Sequence, residues 1–166
     1  MNQIENINSN GSLFIICPFC QLESFLKKKF GEDIFFMTVP AGVLNFCSRQ
    51  VSATRRFIKR EQIKNIYLVN DVGCNFIEEA IKNEKEFGLT AEEQLRKLLQ
   101  NIHLKTDGTL SMQEKKRMVA ENNVQQQVAY LASEKILKHE ISTLKINVRT
   151  LIVNKHEPDN YRFRLN

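Results

Sequence analysis

Three apolar segments alternate with helical patterns in the first half of this chain, and no other sequence feature constrains its fold as strongly. Ser12–Cys17, Ile34–Val39 and Ile66–Asn70 are mainly apolar runs of strand length, as expected for strands buried on both faces. Apolar residues recur at helical spacing after each run, over Leu22–Phe30, Val43–Ile58 and Ile77–Ile81. Strands that alternate with helices predict a parallel sheet with right-handed crossovers.

The second half of the chain is more helical. Thr90–Glu93 and Ser111–Glu114 both have the capping-box pattern, which predicts helices near 91–102 and 112–138. Ile146–Val153 is predicted to form a fourth strand. After a turn around Pro158, Tyr161–Leu165 alternates apolar and basic residues, which is typical of an antiparallel edge strand.

Length and composition indicate one domain. With 166 residues, 42% of them hydrophobic, the chain can bury a sizeable core. We expect a single α/β domain over residues 11–166, preceded by a flexible, Asn-rich tail at residues 1–10. The sequence has neither an apolar run long enough for a bilayer nor a signal-peptide pattern, which predicts a cytoplasmic protein with reduced cysteines and no membrane partner.

Two cysteines lie at the carboxyl ends of predicted strands. Cys17 ends the first strand and Cys74 follows the third. Ligands of open α/β sheets gather at this edge, so the two thiols can converge on one point. In a cytoplasmic protein such thiols are metal ligands, reactive groups or buried core residues rather than structural disulfides.

The segments around these cysteines resemble the β-class carbonic anhydrases, from about residue 12 to the carboxyl terminus. That family has Cys-x-Asp-Ser-Arg after its first strand, Ala-Gly after its second and His-x-x-Cys-Gly after its third. The corresponding segments here are Cys17–Gln21, Pro40–Gly42 and Asp71–Asn75, and Glu121–Val128 is similar to the family's later Glu-Asn-Val-x-x-Gln-Val helix. The resemblance implies a three-layer α/β domain whose mostly parallel sheet has the strand order 2-1-3-4, with an antiparallel edge strand at the carboxyl terminus.

The resemblance also implies a zinc site that has changed. The family's three zinc ligands correspond to Cys17, Asp71 and Cys74, with Asp71 in place of histidine. Two thiolates and a carboxylate leave Zn²⁺ with a net charge of about −1, so a bound water would be less acidic. The family's Asp–Arg pair corresponds to Phe19 and Gln21, and phenylalanine can neither accept a hydrogen bond nor bind a metal.

These replacements favour a carbonic-anhydrase-like protein with a residual zinc or anion site and little or no carbon dioxide hydration. The anion pocket would include Phe19, Gln21, Ala41 and Gly42, and bicarbonate is the anion that the resemblance implies. A helix that begins near Ala41 and Gly42 could hold such an anion with its amides. The family also implies self-association, so a homodimer is a further expectation.

Two enzymatic alternatives stay open. One is an active zinc-dependent carbonate dehydratase. The other is a thiol–disulfide oxidoreductase, because Cys17-Pro-Phe-Cys20 follows a strand as a glutaredoxin motif does. Asp71 could cap the next helix instead of binding metal, and Cys20 would then be the nearest replacement ligand, provided that its side chain points inward.

Other polar features favour structural roles. Basic residues cluster over Arg49–Arg60, and the expected role is a solvated helix face, since no nucleic-acid motif accompanies them and aromatic groups are not interleaved for base stacking. Cys47 is expected on the inner face of that helix. The isolated histidines, which should be exposed or capping, are His103, His139 and His156.

Overall fold

The computed structural model describes residues 11–83, 87–105, 109–133, 135–156 and 162–165. The strands are β1 Ser12–Ile16, β2 Ile34–Thr38, β3 Asn65–Asp71, β4 Asn147–Val153 and β5 Arg162–Leu165. The α-helices are α1 Glu23–Phe30, α2 Ser48–Arg60, α3 Asn75–Lys82, α4 Thr90–Lys105, α5 Met112–Leu131 and α6 Lys138–Thr143. The predicted tail at residues 1–10 and the turn around Pro158 lie outside the described residues.

The five strands form one sheet in the order β2-β1-β3-β4-β5. β1 lies parallel to β2 and β3, and β3 lies parallel to β4, so the predicted parallel order 2-1-3-4 is confirmed. The backbone of β5 pairs with β4 in the antiparallel direction. Every residue of β1 and β3 is buried, because these central strands are covered on both faces.

Alternate strand residues belong to two apolar cores, one on each face of the sheet. Phe14, Ile16, Tyr67 and Val69 pack with α1, α3 and α4 on one face. Leu13, Ile15, Ile66 and Leu68 pack with α2 and the segment around α6 on the other. Helix α5 contributes to both cores. The chain therefore has the predicted α/β architecture of helices on both faces of a sheet. No helix within the described residues combines the length and apolar character needed to cross a membrane.

The structure corrects the start of the second helix. Helix α2 begins at Ser48, whereas the apolar spacing predicted a start near Val43. The backbone of Ala41 and Gly42 is left-handed, with φ of 53° and 70°, and the Leu44 amide is bonded to Gln127 instead of to a helical carbonyl. Cys47 is consequently exposed and caps α2, so its predicted core position is wrong.

The long helix predicted over 112–138 is also interrupted. Its amino terminus is as expected, because Ser111 Oγ accepts a hydrogen bond from the Glu114 amide and the Glu114 carboxylate accepts one from the Ser111 amide. The helix ends at Leu131, and the Leu137 amide then donates to the Leu131 carbonyl across a turn. Ile136 and Leu137, which follow the end of this helix, belong to the second core.

Candidate metal centre

Three buried cysteines meet where β1 and β3 end. Cys17 follows β1, Cys20 ends the 3₁₀ turn Pro18–Cys20, and Cys74 precedes α3. Their Sγ atoms all lie within 4.8 Å of one another, and those of Cys17 and Cys74 are 3.8 Å apart. Parallel pairing of β1 with β3 brings the two strand ends together, as the sequence predicted for Cys17 and Cys74.

A tight turn directs Cys20 inward. The Cys20 amide donates to the Cys17 carbonyl at 3.1 Å, and the turn begins with Pro18, whose fixed φ suits this position. Gln21 ends the turn in the left-handed conformation, with φ of 51°. The Cys20 side chain is therefore 1% exposed and faces the other two thiols. Cys20 could replace Asp71 as a ligand provided that its side chain points inward, and in the structure it does.

The three sulfur atoms suit a thiophilic metal ion. Zinc binds thiolates at about 2.3 Å in tetrahedral sites, which places two sulfur ligands roughly 3.8 Å apart. The observed separation of Cys17 Sγ and Cys74 Sγ is 3.8 Å. Cys20 Sγ needs only a small movement to reach the same spacing, because no pair in the group exceeds 4.8 Å. Three Cys side chains could thus hold zinc while one of its positions stays available.

Hydrogen bonds favour the thiolate form of Cys17 over that of the other two cysteines. The Cys20 and Cys74 side chains, together with the amides of Phe19 and Ala41, lower the pKa of the Cys17 thiol to about 3 against the opposing effect of burial. The hydrogen bond to Cys17 and burial raise the pKa of Cys74 to about 12, and the same two effects raise the pKa of Cys20. Binding of a metal to all three thiolates would therefore release the protons of Cys20 and Cys74.

Asp71 is buried beside this group but is not part of it. Its Oδ1 accepts hydrogen bonds from the amides of Gly73 at 2.8 Å and Lys155 at 3.4 Å, and its Oδ2 has no hydrogen-bond partner among the residues that the structure describes. Among the described residues, the group of metal-ligating side chains contains Cys17, Cys20 and Cys74 without Asp71. Ligation by Asp71 accordingly stays a prediction.

Asp71 bonds to the turn before helix α3, whereas its alternative predicted role was to cap that helix. Helix α3 begins at Asn75 with Cys74 as its N-cap residue, and within the described residues no side chain caps it. Asp71 instead stabilises the turn that leads into the helix, through the Gly73 amide. It also ties this turn to the end of β4 through the Lys155 amide.

The four residues predicted for an anion pocket differ in their environment. Phe19 is 48% exposed and stacks on Phe76 with ring centroids 5.3 Å apart, and Gln21 is exposed. Ala41 and Gly42 are buried, and their amides donate to Cys17 Sγ and the Val39 carbonyl. Their turn is a 3₁₀ element of three residues. An anion held by these amides stays a prediction, and it would have to replace a hydrogen bond made within the chain.

The sequence alone assigned no role at the site to three polar residues of the centre, although two of them lie within the segment Glu121–Val128. Lys155 Nζ donates to the Cys20 carbonyl at 3.0 Å, which links the end of β4 to the cysteine turn. Asn123 Nδ2 donates to the Ala41 carbonyl at 2.8 Å, and Gln127 Nε2 donates to Asn123 Oδ1 at 3.1 Å. The spacing of Asn123 and Gln127, four residues apart among inward-facing apolar residues of a helix, is the signal that could have revealed them.

The basic helix is partly neutralised within the chain. Arg55 and Lys59 lie 3.3 Å and 3.8 Å from the carboxylate of Glu140, which is itself 3% exposed, and Arg60 pairs with Glu61. The sequence did not single out Glu140. These contacts favour the expected structural role of the helix. The three histidines of the chain are exposed, as expected.

Comparison with known proteins identifies the fold. No protein-family model matches the sequence, and no curated protein matches it significantly. Among solved structures, the β-carbonic anhydrase CafA of Aspergillus fumigatus is 20% identical with a TM-score of 0.77, and the match covers 95% of this chain and 76% of CafA. A tetrameric β-carbonic anhydrase of Sordaria macrospora is 16% identical with a TM-score of 0.74, over 95% of this chain and 81% of that one.

A third match comes from a β-carbonic anhydrase of Coccomyxa, solved in complex with acetazolamide. It is 13% identical with a TM-score of 0.71, and the match covers 95% of this chain and 72% of the Coccomyxa protein. The three matches agree with the resemblance seen in the sequence. Despite its low sequence identity to these proteins, the chain has the β-carbonic anhydrase fold.

Proposed function

We propose that this chain is a carbonic-anhydrase-like metal-binding protein, with a zinc site formed by Cys17, Cys20 and Cys74 and with little or no carbon dioxide hydration. The observation that carries the proposal is the convergence of three buried Sγ atoms within 4.8 Å. Buried thiols this close suit a thiophilic cation, and zinc is the one that the fold resemblance implies.

The ligand set supports weak hydration chemistry. Zinc supplies Lewis acidity, which acidifies a bound water in catalytic sites. Three thiolates give Zn²⁺ a net charge of about −1, so that acidification would be weaker than with a neutral imidazole ligand. Phe19 and Gln21, which occupy the positions of the family's Asp–Arg pair, do not supply a carboxylate or a guanidinium. The remaining metal position would accept a small anion, and bicarbonate is the first candidate.

Burial weakens the case for the thiol–disulfide alternative. Cys17 and Cys20 are 2% and 1% exposed, whereas a thiolate that attacks a disulfide of another molecule needs access to it. Self-association also belongs to the proposal, since the Sordaria macrospora proteins of the same fold are tetrameric. Light scattering would give the mass of the assembly.

Metal analysis together with a hydration assay tests the proposal. Protein purified without chelator should carry near-stoichiometric zinc, and Cys74→Ser should bind zinc much more weakly. Cys47→Ser is the matched control, because Cys47 is exposed and lies outside the group, and it should retain zinc. Carbon dioxide hydration should equal the rate in buffer.

Three outcomes would count against the proposal. A zinc-dependent hydration rate above buffer would support an active carbonate dehydratase. Protein that carries no metal but readily cycles a Cys17–Cys20 disulfide would support the oxidoreductase. Zinc that binds Cys74→Ser with wild-type affinity would place the metal elsewhere.

A further inference from the structure

A chain of buried hydrogen bonds connects helix α5 to Cys17. The Leu44 amide donates to Gln127 Oε1 at 2.8 Å, and Gln127 Nε2 donates to Asn123 Oδ1 at 3.1 Å. Asn123 Nδ2 then donates to the Ala41 carbonyl at 2.8 Å, and the Ala41 amide donates to Cys17 Sγ at 3.1 Å. We call Asn123 and Gln127, with the bonds they make, the amide ladder.

Ala41 is the link that needs support. Its φ of 53° and ψ of 14° lie in the left-handed region, where a residue with a Cβ atom is disfavoured. This conformation aims the amide of Ala41 at Cys17 Sγ. The hydrogen bond from Asn123 holds the carbonyl of the same residue. Asn123 therefore stabilises a strained backbone that delivers one N–H group to the sulfur.

Burial fixes the orientation of the two side-chain amides. Asn123 is 0% exposed and Gln127 is 3% exposed, so each must find its partners within the protein. Gln127 Oε1 is committed to the Leu44 amide, which leaves its Nε2 to donate to Asn123 Oδ1. Asn123 can then only present its Nδ2 to Ala41. The Leu44 amide thus fixes the orientation of Gln127, and this fixes which atom donates and which accepts in the other bonds of the amide ladder.

We infer that Asn123 and Gln127 are positioning residues that hold the Ala41 amide against Cys17 Sγ and thereby strengthen metal binding at the three-cysteine group. The inference rests on the proposed function. An N–H donor stabilises thiolate charge and fixes the direction of the sulfur lone pairs. Loss of such an outer partner typically weakens metal affinity about 10- to 100-fold.

Paired substitutions on one helix test this role. Asn123→Leu and Gln127→Met remove the amides with little change in volume, and Asn122→Leu and Gln126→Met are the controls at neighbouring exposed positions. Cobalt(II) affinity is measured by competition with a chromophoric chelator, together with the thiolate-to-cobalt charge-transfer band. We expect about 10- to 100-fold weaker binding and a shifted band in the two ladder variants, and wild-type values in the controls.

Folding is checked by circular dichroism and thermal denaturation. If Asn123→Leu does not fold, Gln127→Met takes its place, because it keeps the hydrogen bond from Asn123 to the Ala41 carbonyl and removes the bonds that Gln127 makes with Asn123 and the Leu44 amide. Folded ladder variants that bind cobalt(II) with wild-type affinity and an unchanged band would overturn the inference.

A metal-free measurement separates this inference from the proposed function. Failure of the wild-type chain to bind zinc or cobalt(II) would refute the proposed function and the claim about metal affinity. Hydrogen exchange of the Ala41 amide in metal-free protein would still test the positioning claim. Faster exchange in the ladder variants alone would support it, and unchanged protection in those variants would refute it.

Discussion

The identity of the third ligand gives the sharpest test of the candidate metal centre. The sequence resemblance assigned this role to Asp71, whereas the structure brings Cys20 to the other two thiols. Cys20→Ala removes the sulfur atom. Asp71→Asn retains an oxygen that can accept from the amides of Gly73 and Lys155, and it changes only Oδ2, which has no hydrogen-bond partner in the described part of the chain. The two substitutions therefore discriminate between the ligand sets without removing the turn.

The expected size of the effect follows from the geometry. Cys20 Sγ is at most 4.8 Å from either of the other sulfur atoms, so it can reach the spacing of a tetrahedral zinc site. Structural zinc binds peptides with an apparent free energy of about 10–16 kcal/mol, or roughly 2.5–4 kcal/mol for each of four ligands. Loss of one ligand should thus weaken binding by about 10²- to 10³-fold.

Competition with a chelator of known affinity measures this change. We expect Cys20→Ala to show the full loss and Asp71→Asn to bind zinc as the wild-type chain does. Cobalt(II) provides a second measurement, since the intensity of its thiolate charge-transfer band falls when a sulfur ligand is lost. Zinc affinity that falls in Asp71→Asn and is unchanged in Cys20→Ala would refute the reasoning and establish the ligand set Cys17, Asp71 and Cys74.

Two predictions concern stability. Hydrogen bonds from Lys116 and Lys82 lower the pKa of Glu78 from 4.5 to about 2, so the folded chain should lose stability as the pH falls from about 4.5 towards 2, because the unfolded chain takes up the proton first. In Lys116→Met the free energy of unfolding should fall less over this pH range, as measured by urea denaturation at a series of pH values. An unchanged pH dependence would show that Lys116 does not lower the pKa of Glu78. Gly11→Ala should destabilise the fold more than Gly88→Ala. Both glycines have left-handed φ values, so either substitution should cost about 1–2 kcal/mol of backbone strain. At Gly11 the new Cβ would in addition lie 2.7 Å from the Gln62 carbonyl oxygen, whereas at Gly88 it would meet no such atom among the described residues. Equal losses of stability in thermal denaturation would contradict this prediction.

The sheet could be predicted from the sequence because its signals are local. Continuous apolar runs such as Ser12–Cys17 mark strands covered on both faces, and helical spacing between them requires parallel crossovers. Cys17 and Cys74 could be placed together for the same reason, since parallel strands end at the same edge. The boundaries of α2 and α5 could not be predicted from spacing alone. They depend on the left-handed backbone at Ala41 and on packing against the second core.

The sequence by itself determined the fold class, the strand order and the edge of the sheet at which the cysteines gather. Only the tertiary structure decided which side chains meet there. Cys20 points inward because a 3₁₀ turn closes on Cys17, while hydrogen bonds hold Asp71 towards the end of β4. Ala41 takes its strained conformation against Asn123, a residue 82 positions away. Hydrophobic periodicity acts between neighbours in the chain, whereas the direction of a side chain in a turn depends on hydrogen bonds that form only after distant segments have packed.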